Sequence, residues 1–369
     1  MTSFFHAYDL RGKYEEEISE KEAEKVGKAF GTFIESEKVI VGRDGRDHSP
    51  EICRAFIEGI ISTGTDVVDA GMVPSPVVYY GSMKMELPSA VVTASHNPPE
   101  YTGFKFSKEK ALAMSRGGGM AEIQQIYESE EFEIGDAEVK QLDLKDDYIE
   151  FIADCIHLEK DLKVAVNYGN GVTPTVAPDL LERLGCELTN VNVEIDGSFP
   201  NHLPAPGEEK AQEQLKQVMD DHDLGIIFDG DGDRAGFILR EEYIAEDEVL
   251  SVFSQEILED GKGKVVHDLR ASKLVKEIID QNGGEAIESR VGHTFISEMI
   301  HGDDGIVFAG ELSGHYYFPA FDVPWDDGLF SAALMCQIVS EMDLSAFLKE
   351  LPDYPVSPEV NIECQNERK

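Results

Sequence analysis

Basic side chains are scarce in this 369-residue chain: 32 Lys and Arg stand against 73 Asp and Glu, a formal net charge of −41. A surface that acidic repels phosphodiester backbones and anionic lipid headgroups, so neither nucleic acid nor a membrane is an expected partner. Cysteine is sparse too. Cys53, Cys155, Cys186, Cys336 and Cys364 form no C-x-x-C pair, and an odd count argues against a disulfide framework. They read as reduced, structural cysteines of a cytoplasmic protein. The N-terminus lacks the charged-then-apolar pattern of a leader. The apolar run LFSAALMCQIV, 329–339, falls well short of the ~20 residues a membrane helix needs.

The acidity itself has no single block. It is spread over segments such as EEEISEKEAE and SEEFE, the pattern of solvated helix faces. The plain reading is the surface of a protein from a high-salt cytoplasm, where screening removes the self-repulsion. Apolar residues make up 41% of the chain, enough for a folded globular protein.

Helix-period and strand patterns alternate almost throughout, which predicts α/β layers with parallel strands. The first cycle runs KVIVGRDGR (strand, turn), PEICRAFIEGIISTG (helix stopped at Gly64) and TDVVDAG (strand). A second begins near 145, with strands at KVAVN, CELTNVNV and DLGIIF. The third contains KVVHD and GIVFAG, and the helix DDGLFSAALMCQIVS. The expected fold is α/β: three consecutive α/β domains with mixed, mostly parallel sheets around a central active-site cleft. The expected boundaries are 1–145, 146–245 and 246–352, with 353–369 as the stub of a fourth domain.

The strongest chemical signal is DGDGDR, Asp229 to Arg234, directly after the IIF strand. Carboxylates at i, i+2 and i+4 separated by glycine can curl around one hard cation, and oxygen ligands suit Mg²⁺ or Ca²⁺. An EF-hand is excluded, because its sixth and twelfth positions would be Arg234 and Arg240. An aspartyl-phosphate phosphatase fits poorly with Asp233 in place. An ordinary Asp/Gly turn is the competing explanation.

Ser95 is the second signal. In TASHNPPEYTGFK it follows an apolar strand and precedes Pro98 and Pro99, which hold the chain away from a helix. The loop lacks the G-x-S-x-G elbow of a serine hydrolase, and His96 is too close in sequence to act as its base. A serine that needs no strong base is one that already carries a group such as phosphoryl, whose charge a cation held by Asp229, Asp231 and Asp233 would offset. Against this stands the commoner fate of a loop serine, a turn or cap.

A third segment, GELSGH, places Glu311 and Ser313 two residues apart. In an extended chain they would project to one side and offer hydrogen bonds to adjacent sugar hydroxyls. The few basic residues next to glycine turns or strand ends (Arg11, Arg43, Arg46, Lys105, Arg234, Arg270, Arg290), together with His293, favour recognition of phosphate as a set.

The ordered segments AYDLRG, GRDGR, GMVPSPVVYY, TASHNP, GFK, DGDGDR, DLRAS, VGHTFI, GELSGH and WDDG resemble the α-D-phosphohexomutase family in its phosphomannomutase/phosphoglucomutase branch, from residue 6 to about 340. The resemblance implies an intramolecular phosphotransferase that interconverts hexose 1-phosphate and hexose 6-phosphate. It implies that Ser95 is the phosphoryl carrier and, with Asp229, Asp231 and Asp233, a ligand of Mg²⁺. Arg234 would sit beside the phosphoryl group, with Lys105 and His293 as proton-transfer or charge-stabilising groups. Glu311, Ser313 and His315 would meet the sugar, and Tyr8, Arg11 and Arg270 would line the cleft. Hexose 1,6-bisphosphate would be intermediate and activator, and the partner a small phosphosugar substrate.

Two positions depart mildly from the family pattern. Arg270 stands where lysine is frequent, and Leu312 where methionine is common. The larger departure lies at the end, where VSPEVNIECQNERK covers only the first strand of the family's fourth domain, without its phosphate-clamping loop. On sequence alone, turnover is therefore expected to be impaired. A slow sugar-phosphate phosphatase and a non-catalytic sugar-phosphate-binding protein remain the alternatives. The preferred sugar and the oligomeric state stay open.

Overall fold

The computed structural model describes residues 4–6, 9–259, 261–352 and Tyr354. Tyr8 lies outside the described residues, as does all but Tyr354 of the expected stub over 353–369. Three sheets follow one another along the chain. The first contains β1 (Leu10–Lys13), β2 (Lys38–Arg43), β3 (Asp66–Met72), β4 (Ser89–Val92), β5 (Tyr101–Ser107) and β6 (Val139–Gln141). The second contains β7 (Leu162–Asn167), β8 (Cys186–Val191), β9 (Leu224–Phe228), β10 (Ala235–Leu239) and β11 (Glu242–Ile244). The third contains β12 (Lys264–Asp268), β13 (Glu285–Ser289), β14 (Ile306–Gly310), β15 (Tyr316–Phe318) and β16 (Val323–Asp326).

The orders are β1-β5-β4-β2-β3-β6, β11-β10-β9-β7-β8 and β13-β12-β14-β15-β16. Each sheet repeats one plan. A central strand is flanked by two parallel neighbours reached through helical crossovers: β2 by β3 and β4, β7 by β8 and β9, β12 by β13 and β14. The chain then turns back at once, so β4–β5, β9–β10 and β14–β15 are antiparallel. Alternation of helix and strand foretold the parallel part. The antiparallel edges arise because the links 93–100, 229–234 and 311–315 are too short to hold a crossover, which needs a dozen or more residues. All three glycine- or proline-bearing segments singled out for chemistry are these short links, at the carboxyl ends of the parallel strands, where open α/β sheets gather their ligands.

Burial agrees with the patterning. The strand Leu224–Phe228 is buried at every position, as a continuous apolar run should be. Helix Gly328–Glu341 is buried along nearly its whole length, and the sheets that surround it explain its apolar composition. No single described helix is long and apolar enough to cross a membrane. One continuous apolar core joins the units, including the Tyr80–Tyr148 edge contact at 5.6 Å. Tyr148 also donates to the carboxylate of Asp327 at 2.7 Å, tying the start of the second unit to the third. The described cysteines are unpaired thiols.

Candidate active site

The three short links converge. Ser95 is 1% exposed, and its hydroxyl donates to Asp229 Oδ2 at 2.8 Å across 134 residues of sequence. Its backbone sits at φ +48°, in the left-handed region, which costs a non-glycine residue about 1 kcal/mol or more. The surrounding contacts hold it there: Thr93 Oγ1 accepts from the Ser95 amide at 2.8 Å, and the Asn97 amide donates to the Ala94 carbonyl at 3.0 Å. The two prolines keep the chain from continuing as helix, and this turn presents the hydroxyl.

The glycines of DGDGDR do what the sequence suggested. Gly232 has φ +78°, and any Cβ on Gly230 would stand 2.5 Å from the Ser95 carbonyl oxygen. The loop thus curls against the serine, and its three carboxylates are fully buried with oxygens within 4.8 Å of one another. Asp229 Oδ1 accepts from the amides of Gly232 (2.9 Å) and Arg234 (3.2 Å). Asp231 Oδ2 accepts from Ser75 Oγ and from Lys105 Nζ, each at 2.7 Å, and Lys105 also reaches Asp233. Burial works to lower the Lys105 ammonium, but Asp231 and Asp233 together hold it well above its ordinary range. Burial followed by its two carboxylate neighbours pushes Asp229 well up.

Two buried oxygens, Asp231 Oδ1 and Asp233 Oδ1, have no hydrogen-bond partner. An orphaned carboxylate oxygen in a dry site is costly. Three carboxylates also outnumber Lys105 and Arg234 by one charge. The donor set, all hard oxygen with unspent lone pairs and a residual negative charge, fits a divalent cation of the Mg²⁺ type.

Arg234 links all three units. Nη2 donates to His96 Nδ1 at 2.9 Å and approaches Ser95 Oγ at 3.4 Å, while Nε donates to His315 Nε2 at 3.1 Å. Burial, then Arg234 and Arg11, push the His96 imidazole down to about 3, so it is neutral and its Nδ1 lone pair is taken. Ser95 Oγ lies 3.2 Å from the same Nδ1, but with Arg234 also on that atom and its basicity so low, His96 is a weak base for Ser95. His315 Nδ1 lies 2.9 Å from Ser313 Oγ and 3.2 Å from Glu311 Oε2. Glu311 Oε1 in turn accepts from the Gly292 amide at 2.7 Å, one residue before helix His293–Gly302. The His293 and His315 rings lie 5.9 Å apart, and burial first, then His315 and Lys105, lower His293 to about 4.

Two expectations need correction. Glu311 and Ser313 do not come together by strand alternation. Residues 311–314 form a tight turn, closed by the Gly314 amide on the Glu311 carbonyl at 3.0 Å, and this turn brings Ser313 Oγ to 3.4 Å from Glu311 Oε2. Arg46, grouped with the phosphate-binding cations for its position at a glycine turn, spends its guanidinium on main-chain carbonyls of the Ser95 loop and on Asp44. It has no donor left for a phosphate.

Arg11 holds Asn97 Oδ1 at 2.8 Å and Asp9 at 2.5 Å, bracing the serine loop from β1. Arg270 is more exposed and pairs with Asp268 at 2.6 Å, whose same oxygen accepts from the Leu312 amide at 3.1 Å. Arg43 contacts the Asp44 carbonyl, and Arg290 lies over the Phe295 ring, 3.9 Å from its centroid. Sequence reasoning passed over Ser75, a ligand of Asp231, and Asp326, whose carboxylate is 3.7 Å from His315 Nε2 and is pushed up to about 7 by burial and then Asp233. WDDG holds Asp326 and GMVPSPVVYY holds Ser75, but no local pattern in either segment pointed to a partner in the triad. A cavity of about 520 Å³ along Leu239, Tyr243 and Leu348 shares no residue with this cluster, so size alone would have pointed elsewhere.

A buried serine, a carboxylate triad with unspent oxygens and paired cations at the carboxyl ends of α/β sheets are the groups that phosphoryl transfer requires. Family profiles agree for nearly the whole chain: phosphoglucomutase/phosphomannomutase alpha/beta/alpha domain I matches residues 2–134, domain II 146–242 and domain III 245–354. A phosphomannomutase/phosphoglucomutase of Pseudomonas aeruginosa is 35% identical over 378 residues, spanning 100% of this chain and 81% of that protein. A phosphomannomutase of Methanocaldococcus jannaschii is 37% identical, covering 99% and 83%. The crystal structure of a phosphoglucomutase/phosphomannomutase family protein from Burkholderia thailandensis superposes with a TM-score of 0.93 at 34% identity, covering 97% of this chain and 81% of that one. The chain belongs to the α-D-phosphohexomutase family, in its phosphomannomutase/phosphoglucomutase branch, and is an enzyme that moves phosphate within a sugar.

Proposed function

We propose that this chain interconverts hexose 1-phosphate and hexose 6-phosphate, with Ser95 as phosphoryl carrier and a hexose 1,6-bisphosphate as intermediate. The observation that carries the reading is the Ser95 hydroxyl on Asp229, beside two orphaned carboxylate oxygens of the same triad. Phospho-Ser95 gives its phosphoryl to the free hydroxyl of the sugar phosphate: the Oγ–P bond breaks and a bond from phosphorus to the sugar oxygen forms. The bisphosphate then turns; the bond between its other phosphorus and the sugar oxygen breaks, the Oγ–P bond re-forms, and the proton removed in the first half returns to the freed sugar oxygen.

Asp229, Asp231 and Asp233, with the phosphoserine, would hold Mg²⁺, which when bound offsets charge on the phosphoryl oxygens. Lys105, ion-paired and held protonated, supplies positive charge beside the transfer. His293, neutral at ordinary pH, is the group able to take the hydroxyl proton. Arg234 sits within reach of Oγ and steadies the transferred group. Glu311, Ser313 and His315 receive the sugar, and Arg11 and Arg270 border the cleft. On this reading the domains run 1–145, 146–245 and 246–352, each supplying one of the converging loops.

The test is turnover of glucose 1-phosphate and mannose 1-phosphate with Mg²⁺ and a trace of hexose 1,6-bisphosphate, comparing wild type with Ser95→Ala. We expect isomerisation that falls by about 10⁴-fold or more in the variant. Free phosphate without isomerised sugar would turn the reading into a phosphatase, and unchanged isomerisation in Ser95→Ala would refute the carrier.

A further inference from the structure

We propose that Arg46 is a positioning residue for phosphoryl transfer, one that sets the aim of Ser95 without touching substrate. The proposal rests on the reading of Ser95 as the carrier. The Arg46 side chain has no exposed surface, and each of its five N–H donors is used. Nη2 donates to the carbonyls of Ser95 (2.8 Å) and Asn97 (2.6 Å), Nη1 to those of Pro98 (2.7 Å) and Tyr101 (3.1 Å), and Nε to Asp44 Oδ2 (3.2 Å). Four of the five bonds fall on the seven residues from Ser95 to Tyr101: three on the loop, which has no helix or sheet of its own, and one on the first residue of β5. A planar fork can gather four carbonyls pointing at it from an arc; a lysine, with three donors on one atom, cannot.

The base of this fork is fixed in turn. Asp44 accepts from Ser49 Oγ at 2.5 Å and from the Arg46 amide at 3.1 Å, and its own amide donates to the Val92 carbonyl at the end of β4. The second unit closes the other side. The Phe199 ring lies 4.9 Å from the guanidinium carbon, and a Cβ on Gly197 would meet the Asp47 amide nitrogen at 2.2 Å. Arg46 is thus clasped between the serine loop of one unit and a loop of the unit that carries the triad. Ser95, at φ +48°, holds a conformation the free chain disfavours, and the bond to its carbonyl opposes relaxation of that residue. A loop released from the fork would let Oγ drift from Asp229, and a displacement of about 1 Å is enough to cost roughly 10²-fold in rate.

The experiment compares wild type, Arg46→Lys and Phe199→Leu. In single turnover, phosphorylation of Ser95 by hexose 1,6-bisphosphate is followed by intact mass, and steady-state kcat and KM are measured for glucose 1-phosphate. A rate constant for phosphorylation does not depend on the folded fraction, so it separates positioning from mere stability. Arg46→Lys is expected to lower that constant and kcat at least tenfold with KM within twofold of wild type. A lower phosphorylatable titre with an unchanged rate constant would make Arg46 structural only and overturn the proposal. Should Arg46→Lys fail to fold, Phe199→Leu decides: it leaves the five hydrogen bonds and loosens the clasp, and should slow phosphorylation at least threefold, whereas an unchanged rate overturns the proposal. Wild-type protein that turns over sugar without ever gaining phosphate on Ser95 would sink the carrier reading itself, and the positioning role with it. Wild type that is phosphorylated normally, alongside a wild-type-like Arg46→Lys, would sink the positioning role alone.

Discussion

The loops 93–100 and 311–315 occupy the same place in two copies of one topology, the turn after the third parallel strand of the sheet, yet they are held differently. The first has short bonds of its own at Thr93, Ala94 and His96, and is fastened chiefly by distant side chains: Arg46 on its carbonyls, Arg11 on Asn97 and Asp229 on Ser95. The second is closed within itself by Gly314 on Glu311 and by the Ser313, His315 and Glu311 side chains, and is tied outward by the Gly292 amide on Glu311, Asp268 on the Leu312 amide and Arg234 on His315. A group that must meet phosphorus within a fraction of an ångström benefits from supports on several rigid elements. On the proposed reading the second loop greets a sugar arriving in two orientations, and a more local scaffold suffices. Matching topology therefore does not imply matching mechanics.

The contrast can be broken most sharply at the triad. Asp231→Asn removes a carboxylate that serves only the first loop's chemistry. It should lower kcat by about 10²–10³-fold. It should also erase the thermal shift that Mg²⁺ gives the wild type, and chelation should then make no further difference to its activity. A variant that still responds fully to Mg²⁺ would mean that the orphaned oxygens are not the cation's seat.

The second loop can be sharpened by pH. Burial would raise the Glu311 carboxyl, but the His315 contact and the Gly292 amide outweigh it and hold it down, from 4.5 to about 2. A depressed carboxylate contributes stability that is present above its unfolded value and lost as pH falls through the folded one. Urea unfolding of the wild type should therefore lose about 3 kcal/mol between pH 4.5 and pH 2 through this group. Glu311→Gln should flatten that limb, and an identical slope in both proteins would remove Glu311 from the loop's support.

The smallest effect belongs to Ser313→Ala. Its hydroxyl is half-buried and shares its partners with Glu311 and His315. Losing one neutral hydrogen bond costs about 1 kcal/mol, so KM should rise a fewfold with kcat nearly unchanged. A drop in kcat as large as that of Asp231→Asn would erase the contrast between the loops.

Much of this was legible in the chain. Hydrophobic period, glycine stops and Asp/Gly turns are local properties, so the strand and helix cycles and the three short links could be read in order. The serine and carboxylate triad could also be paired on chemistry alone, since each needs what the other offers. What only the tertiary structure decided is which partner each polar group met. Ser75 reaches Asp231 across 156 residues, and Lys105 reaches Asp233 across 128. Arg11, Arg43 and Arg46 carry the same local signature, yet packing set Arg11 on side-chain oxygens of Asn97 and Asp9, Arg43 on a single carbonyl and Arg46 on four. Glu311 met Ser313 through a turn whose closure depends on Gly314. Local sequence fixes the period and conformation a segment prefers; the partner of a buried charge is chosen by the assembled fold, because desolvation penalises every arrangement in which that charge is left without one.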